Sequence, residues 1–461
     1  MSGAKADSPD PPAKSQHLRP TSNAKRRKPT SGESCLIPIA SRISYLEHPR
    51  LQEMPYYHGF MPRSECEKLF ENPAFRCNGV FLVRQSVHER KYIYVISSWF
   101  DGALYHTQIC CSDKFRYWVT DWSFQSIPAL IEYHVDKGDP VCTEGYYIRY
   151  HAKKSSWQLD HSQIMCTRQL GAGNFGCVYE ALYQYDPYKK PQPCAVKTLF
   201  GENMDALQRS EFYSEANQMK ELNHPNVVAF YGVATTDEPM LLVMELVGAS
   251  LQGKIEKEEQ TEIVRLNWIY DAAKGMQCLE EHGVLHRDVA ARNFLLDREG
   301  VHVKVSDFGL SMARGAKVDP KKNALPLRYW PPEVLKSYSK AQPHFDHKAD
   351  VWSFGVMVTE LYTRGKRPFE ILEDKNPDVR FQALIKKTKK DCWKNYPLLI
   401  PMRGDLEKIV HRCFEYDPKD RPTFAELVQL LAELPDVVVH VLEKPKSLRR
   451  RIIDWFLESD P

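Results

Sequence analysis

Short hydrophobic runs separated by turn-forming residues dominate residues 56–151, and this spacing is typical of strands. We predict strands at Val80–Arg84, Tyr92–Ser98 and Arg116–Val119, between helix-like stretches at Arg63–Phe70 and Ser126–Val135. Strands bracketed by two helices within so short a segment indicate a small α+β domain.

The hydrophobic pattern changes in residues 164–435, which we predict to be a second domain. Its first part is strand-rich, with apolar runs at Met165–Leu170 and Cys177–Leu182. From about Thr261 the period becomes mainly helical. Residues 152–163 (AKKSSWQLDHSQ) form a short polar linker between the two predicted domains.

Both ends of the chain differ from these domains. Residues 1–50 are rich in Ser, Pro, Lys and Ala, and we predict that they are disordered because they cannot bury enough surface to offset chain entropy. We interpret their basic run Lys25–Lys28 as solvated, with nuclear import or lipid contact as alternatives. Residues 436–461 form a basic amphipathic tail with Trp455 on its apolar face, which we expect to dock on the preceding domain or to contact acidic lipid.

Composition narrows the class of protein. The chain has 461 residues, of which 43% are hydrophobic and 27% charged, and this suits two or three globular domains. A net charge of +3 argues against a dedicated nucleic-acid binder. We expect no secretory signal, because the first residues of the sequence are polar and rich in Pro and Lys. No apolar run is long enough to span a membrane, and the 12 cysteines show no metal-binding spacing. We therefore expect a cytoplasmic monomer with reduced thiols.

Three glycines, Gly171, Gly173 and Gly176, form a GxGxxG motif between two strand-like runs. Strands on both sides suit a hairpin folded over phosphate groups, because glycine lets the backbone approach phosphate oxygens closely. Lys197 ends the next apolar strand and is placed to hold the α- and β-phosphates. Glu215, in a helix-like run, can pair with that lysine.

Acidic and amide side chains follow in the order that phosphoryl transfer requires. Asp288 belongs to the sequence HRDVAARN, which ends at Asn293, and Asp307 begins an Asp-Phe-Gly motif. Asp288 can accept the proton of a substrate hydroxyl, whereas Asn293 and Asp307 supply hard oxygen ligands for Mg²⁺. The joint match in chain order is far more specific than a glycine-rich turn alone.

Residues 164–435 therefore resemble a eukaryotic protein kinase domain, a bilobal fold that uses ATP and Mg²⁺. The resemblance implies that Asp350 and Trp352 anchor the catalytic loop and that Arg421 pairs with Glu333. The implied catalytic residues are Asp288, Arg292, Lys197 and Glu215. The implied nucleotide-binding residues are Leu170, Gly171, Gly173, Gly176, Val178, Ala195, Lys197, the gatekeeper Met244, the hinge residues Glu245, Leu246 and Val247, and the metal ligands Asn293 and Asp307.

Two stretches favour tyrosine over serine or threonine as the acceptor. Asp288 is followed by VAAR, with Ala290 where serine/threonine kinases usually carry a lysine. In the tyrosine kinases that the chain resembles, Arg292 takes over the charge role of that lysine. Leu325–Arg328 likewise resembles their substrate platform, where a proline packs against the substrate ring. Tyr329-Trp330 departs from the family pattern, in which tryptophan comes first, and we expect altered packing there.

Arg84 ends the apolar run FLVR and is followed by Gln85-Ser86. A buried arginine is costly unless an anion arrives, and its planar fork suits bidentate phosphate capture; a structural ion pair is the alternative. Residues 56–151 resemble a Src-homology-2 (SH2) domain, a central antiparallel sheet flanked by two helices that binds phosphotyrosine. By that resemblance Arg63 contacts the phosphate and the ring, Ser86 lies in the phosphate loop, and His106 stands beside the pocket.

The order of domains resembles the short forms of the Fes/Fer group of non-receptor tyrosine kinases. Unlike most of that family, the segment Ser311–Leu325 contains no tyrosine, so the phosphorylation that commonly orders this segment is not available. We predict a protein-tyrosine kinase that transfers the ATP γ-phosphate to tyrosines and is targeted by phosphotyrosine binding. A phosphotyrosine-binding adaptor with a silent kinase domain is the alternative.

The implied partners are tyrosine-phosphorylated proteins and protein substrates, with no nucleic acid. Peripheral contact with acidic membrane, at the inner face of the plasma membrane, is a further expectation.

Overall fold

The computed structural model describes residues 25–26, 51–89, 91–173, 176–186, 188–198, 206–307, 312–313, 326–339, 345–366 and 402–438. The chain forms two compact units, Met1–Lys153 and Lys154–Pro461. The apolar face of the carboxyl-terminal tail, the Phe308-Gly309 pair and most of the segment Ser311–Leu325 lie outside the described residues, so the predictions made for them stay predictions.

Eight strands belong to the first unit: β1 (Lys25–Arg26), β2 (Tyr57–Phe60), β3 (Val80–His88), β4 (Lys91–Phe100), β5 (Ala103–Cys111), β6 (Tyr117–Trp118), β7 (Trp122–Ser123) and β8 (Tyr150–His151). Six of them form one sheet in the order β2-β3-β4-β5-β6, with β8 also paired to β3. The long strands β3, β4 and β5 are antiparallel, whereas β2 and β8 run parallel to β3. A separate antiparallel pair joins β1 to β7, so the segment predicted to be disordered contains one backbone pairing.

Two helices cover opposite faces of this sheet: α1 (Arg63–Leu69) and α2 (Ile127–Lys137). Leu82 of β3 belongs to one apolar core with Cys66 of α1, while the next residue, Val83, belongs to the other core with Leu130 of α2. Alternate side chains of a strand point to opposite faces, so a single strand supplies both cores.

The second unit begins with a five-stranded antiparallel sheet and one helix. The strands are β9 (Ile164–Gly173), β10 (Gly176–Tyr183), β11 (Gln192–Thr198), β12 (Phe230–Ala234) and β13 (Leu241–Glu245), in the order β12-β13-β11-β10-β9. The helix is α3 (Ala206–Glu221). The apolar core of the sheet includes Val196, Tyr231 and Val243.

The predicted linker is part of this second sheet region rather than a free connector. The Leu159 amide donates to the Val233 carbonyl, and the Val233 amide donates to the Trp157 carbonyl, both at 2.8 Å. A Cβ atom at Gly232 would lie 2.4 Å from the Trp157 oxygen, so only glycine allows this close approach. Backbone pairing therefore fixes residues 157–159 against β12.

The remainder of the second unit is mainly helical. Its helices are α4 (Leu251–Lys257), α5 (Glu262–Glu281), α6 (Pro332–Ser339), α7 (His347–Tyr362), α8 (Gly404–Cys413) and α9 (Phe424–Ala432). Two short strand pairs accompany them: β14 (Val284–Leu285) with β17 (Met312–Ala313), and β15 (Phe294–Leu296) with β16 (Val303–Val305). Nearly every residue of α7 is buried. In the described part of the chain no helix combines the length and apolar character needed to cross a bilayer.

The predicted elements are present, but their bounds differ. The strand predicted at Val80–Arg84 continues to His88, because its pairing with β4 extends to the His88–Lys91 pair. Strand β5 was not predicted, because its polar and aromatic residues (ALYHTQICC) lack the apolar run of a buried strand.

Candidate functional site

The strand register brings the glycine motif beside Lys197. Gly171 pairs with Val178 of β10, and Val178 pairs with Lys197 of β11, while Gly173 ends β9 and Gly176 begins β10. A Cβ atom at Gly171 would meet no atom within 4 Å, so protein packing does not require glycine there. The open space beside this backbone fits a phosphate-bearing ligand.

Lys197 connects the sheet to α3 through a buried ion pair. Its Nζ lies 2.7 Å from Glu215 Oε1 and 3.1 Å from Asp307 Oδ1. Burial by itself lowers the pKa of a lysine, but the two carboxylates outweigh it, and the pKa of Lys197 is raised. The ammonium therefore stays charged, and the predicted Lys197–Glu215 contact is confirmed.

The residues predicted to surround an adenine ring lie at the end of β13. Met244 pairs with Ala195 across the sheet, and Leu246 and Val247 follow the strand. Leu170 is 45% exposed, an apolar side chain left uncovered. The Glu245 carboxylate is occupied, since it accepts from the Ala229 amide at 3.1 Å and lies 3.1 Å from Lys304 Nζ.

Two buried carboxylates of α7 hold the loop that contains Asp288. Asp350 accepts hydrogen bonds from the amides of His286 (2.8 Å) and Arg287 (2.9 Å), which confirms the predicted anchoring role of Asp350. Glu360 accepts from the Ala291 amide at 2.9 Å. Arg287 has a φ of 66°, a left-handed conformation that such anchoring maintains.

Asp288 is half-buried between two side chains from its own loop. Asn293 Nδ2 donates to Asp288 Oδ2 at 2.8 Å, and Arg292 Nη2 forms a close ion pair with Asp288 Oδ1. Because the side-chain NH₂ group of Asn293 donates to Asp288, the side-chain oxygen of Asn293 is the atom left to bind a cation. The Ser306 amide donates to the Asn293 carbonyl at 2.9 Å, which fixes the chain just before Asp307.

A second set of contacts fixes the surrounding helices. Arg421 donates from Nη1 and Nη2 to the two oxygens of Glu333 at 2.7 and 2.9 Å, as predicted, and its guanidinium lies 5.0 Å above the Trp352 ring. The Trp330 indole donates to the Arg287 carbonyl at 3.4 Å. The segment that follows the predicted substrate platform is thereby attached to the catalytic loop.

In the first unit, Arg84 is a buried cation at the centre of the sheet. It is 2% exposed; Nε donates to Ser97 Oγ and Nη1 donates to the Met61 carbonyl, each at 3.0 Å. Burial lowers the pKa of Arg84. Among the described residues no carboxylate lies within ion-pair distance of Arg84, so the alternative of a structural ion pair has no support there.

The other predicted pocket residues lie around Arg84. Ser86 lies two residues further along β3, and its side chain therefore points to the same face. His106 Nδ1 is 2.9 Å from Ser97 Oγ, and burial, followed by the charges of Arg84 and Arg63, lowers the pKa of His106 to about 4. Arg63 is exposed and donates to Glu67 Oε1 at 2.8 Å.

One prediction about this pocket was wrong: Ser86 is not in a loop. It pairs with Ile93 of β4, because the strand runs two residues beyond it.

Comparison with known proteins accounts for both units. Residues 164–431, more than half of the chain, match the family model described as protein tyrosine and serine/threonine kinase. Residues 56–134 match the SH2 domain model.

The chain belongs to the protein kinase family.

Its relatives include tyrosine kinases of the Fps/Fer group that the sequence indicated. The kinase chain is 33% identical to spermatocyte protein spe-8 of Caenorhabditis elegans, over 87% of its own length and 75% of that protein. It is 31% identical to the transforming tyrosine kinase Fps of avian sarcoma virus strain PRCII, over 86% and 70%. Human tyrosine-protein kinase Fer is 32% identical, and the match covers 84% of this chain and 45% of Fer. The predicted α+β fold class, an SH2 domain followed by a kinase domain, is confirmed.

Three contacts of the two sites were not predicted from the sequence. Ser97 and the Met61 carbonyl hold Arg84, and Glu360 holds the catalytic loop. A serine within the run YVISSWF carries no local signal of its role. The acidic residue inside the buried run SFGVMVTELY was the only hint, because a buried charge needs a partner.

Proposed function

We propose that this chain is an active non-receptor protein-tyrosine kinase, which transfers the γ-phosphate of ATP to tyrosines of proteins. The observation that carries the proposal is a set of three short contacts: Lys197 with Glu215, Lys197 with Asp307, and Asp288 with Asn293. Kinases of this family use ATP with a divalent metal. The open space at Gly171, the side-chain oxygen of Asn293 and the carboxylate of Asp307 fit these groups.

Each residue has a distinct task in the proposed reaction. Asp288 accepts the proton of the substrate phenol and orients that oxygen, and Arg292 holds the Asp288 carboxylate in place. Lys197 offsets negative charge on the phosphates, and Glu215 keeps the ammonium in position. Asn293 and Asp307 would hold Mg²⁺, which would neutralise further charge on the phosphates.

Substrate selection is proposed to occur in the SH2 domain. The Arg84 guanidinium retains unused N–H groups and has no carboxylate in ion-pair range in the described structure, so a phosphate dianion is its natural partner. Tyrosine-phosphorylated proteins would bind there and raise the local concentration of substrate at the kinase domain. A cytoplasmic monomer that contacts acidic membrane through its tail remains part of this proposal.

The test is phosphotransfer by the purified full chain. Poly(Glu,Tyr) and a matched polymer of glutamate and serine are incubated with radiolabelled ATP and Mg²⁺. We expect label on the tyrosine polymer only, with loss of the signal in Asp288→Asn. Absence of transfer, with retained binding of phosphotyrosine, would favour the adaptor alternative instead.

A further inference from the structure

Glu360 connects the catalytic loop to the turn that follows the substrate platform. Its carboxylate is 2% exposed, and both oxygens are used. Oε2 accepts from the Ala291 amide at 2.9 Å, while Oε1 accepts from Tyr329 Oη at 2.6 Å. One buried carboxylate therefore fixes two segments that are 38 residues apart at their nearest bonded positions, Ala291 and Tyr329.

The ring of Tyr329 supports the arginine of the proposed active site. The Arg292 guanidinium lies 5.2 Å from the ring centroid, and the same guanidinium contacts Asp288. Tyr329 itself is 8% exposed, and Ser353 Oγ donates to its carbonyl at 2.7 Å. A rigid aromatic ring therefore lies beneath the guanidinium that contacts the proposed base.

The hydroxyl of Tyr329 offsets part of the cost of burying Glu360. Burial raises the pKa of the Glu360 carboxyl, while hydrogen bonds from Tyr329 and Ala291 act in the opposite direction. The pKa of Tyr329 is also raised, first by burial and then by Glu360, so the phenol stays protonated and donates a hydrogen bond to Glu360. Removal of this donor would leave a buried carboxylate with an unsatisfied oxygen.

We propose that Tyr329 is a positioning residue for phosphotransfer, which acts on Asp288 through Glu360 and Arg292. The proposal rests on the proposed kinase activity. Tyr329 thereby has a role at a position where the sequence predicts only altered packing.

The chain contains a matched control for this arrangement. Tyr362 lies on α7, the helix that carries Glu360, and donates to Glu262 Oε1 at 2.7 Å. The Arg265 guanidinium lies 4.7 Å from the centroid of the Tyr362 ring. The chemistry is the same, but no residue of the proposed active site takes part. Because the Glu262 side chain is 34% exposed whereas Glu360 is 2% exposed, Tyr362→Phe in the full chain should lose less thermal stability than Tyr329→Phe.

Steady-state kinetics with poly(Glu,Tyr) separate the two variants. Tyr329→Phe should lower kcat by about 10-fold, the effect of one unsatisfied buried hydrogen bond, with the KM for ATP unchanged. Tyr329→Leu, which also removes the ring beneath Arg292, should lower kcat further. Tyr362→Phe should retain wild-type kcat. Equal kcat in Tyr329→Phe and Tyr362→Phe would overturn the proposal.

Hydrogen exchange measured by mass spectrometry tests the same idea without requiring activity. Tyr329→Phe should speed exchange in the peptide spanning residues 286–294, where the Ala291 amide is bonded to Glu360, and Tyr362→Phe should not. Unchanged exchange in that peptide would refute the positioning role even if kcat fell. If the wild-type chain transferred no phosphate, the proposed function would fail, and exchange alone would still decide whether Tyr329 fixes the loop.

Discussion

Replacement of Arg84 by lysine tests the phosphotyrosine pocket most directly. The guanidinium has five N–H groups, and the bonds to Ser97 and to the Met61 carbonyl use two of them. The remaining groups are one N–H on Nη1 and two on Nη2, and one N–H from each of these nitrogens can form two parallel bonds with one phosphate. A lysine at this position keeps the charge, but its single ammonium cannot bond Ser97, Met61 and a bidentate phosphate together.

The expected loss follows from these bonds. A hydrogen bond to a charged group contributes about 1.5–3 kcal/mol, and the substitution removes at least one such bond and weakens another. We therefore expect phosphotyrosine binding to weaken by about 2–4 kcal/mol, which is roughly a 30- to 1000-fold increase in Kd.

The assay is isothermal titration calorimetry of the full chain with phenyl phosphate and with a phosphotyrosine peptide. Arg76→Lys is the control, since Arg76 lies in the same domain, donates from Nε to the Phe70 carbonyl at 2.8 Å, and is not part of the pocket. It should bind like the wild type. Thermal unfolding without ligand verifies that each variant is folded. A change in Kd of less than about threefold in Arg84→Lys, or equal binding of phosphorylated and plain peptide, would refute the assignment.

Three further predictions concern catalysis, pH and the linker. Asp288→Asn should lower kcat by about 100-fold or more while ATP binding, measured by fluorescence titration, persists; near-normal kcat would contradict the role of Asp288 as base. The folded pKa of His106 is about 4 and the unfolded value about 6.5, so the unfolded state binds more protons between these values. The contribution of His106 to the free energy of unfolding, fully present above pH 6.5, should thus fall by about 2 kcal/mol from pH 7 to pH 5, as measured by urea unfolding. His106→Gln should reduce this dependence on pH. The Trp157 ring lies 6.1 Å from the ring of Tyr213, on the helix that carries Glu215, and Lys220 Nζ lies 4.6 Å above the Trp157 ring. Trp157→Ala should lower kcat on a short peptide several-fold, which corresponds to roughly 1 kcal/mol in the activation barrier. An unchanged kcat would show that the ring only covers an apolar surface.

The linear motifs identified both domains because they are short and ordered along the chain. Lys197 and Glu215 are 18 residues apart, and Asp288 and Asn293 are five apart. Chemistry at such spacing leaves a local signature, since the residue types that bind phosphate or metal are few. Most strand and helix patterns of the SH2 domain were likewise visible, because β3 supplies residues to both apolar cores and each helix buries one stripe.

Tertiary structure alone decided which groups hold those residues in place. The carboxylate of Glu360 bonds Ala291 from 69 residues away, and the Met61 carbonyl reaches Arg84 from 23 residues away. A backbone carbonyl carries no residue identity, and an isolated buried glutamate has no periodic pattern. The sequence therefore determined which groups are proposed to react. The positions of these groups depend on partner groups, and these partners come close only when the two cores of the first domain and the helices around α7 are packed.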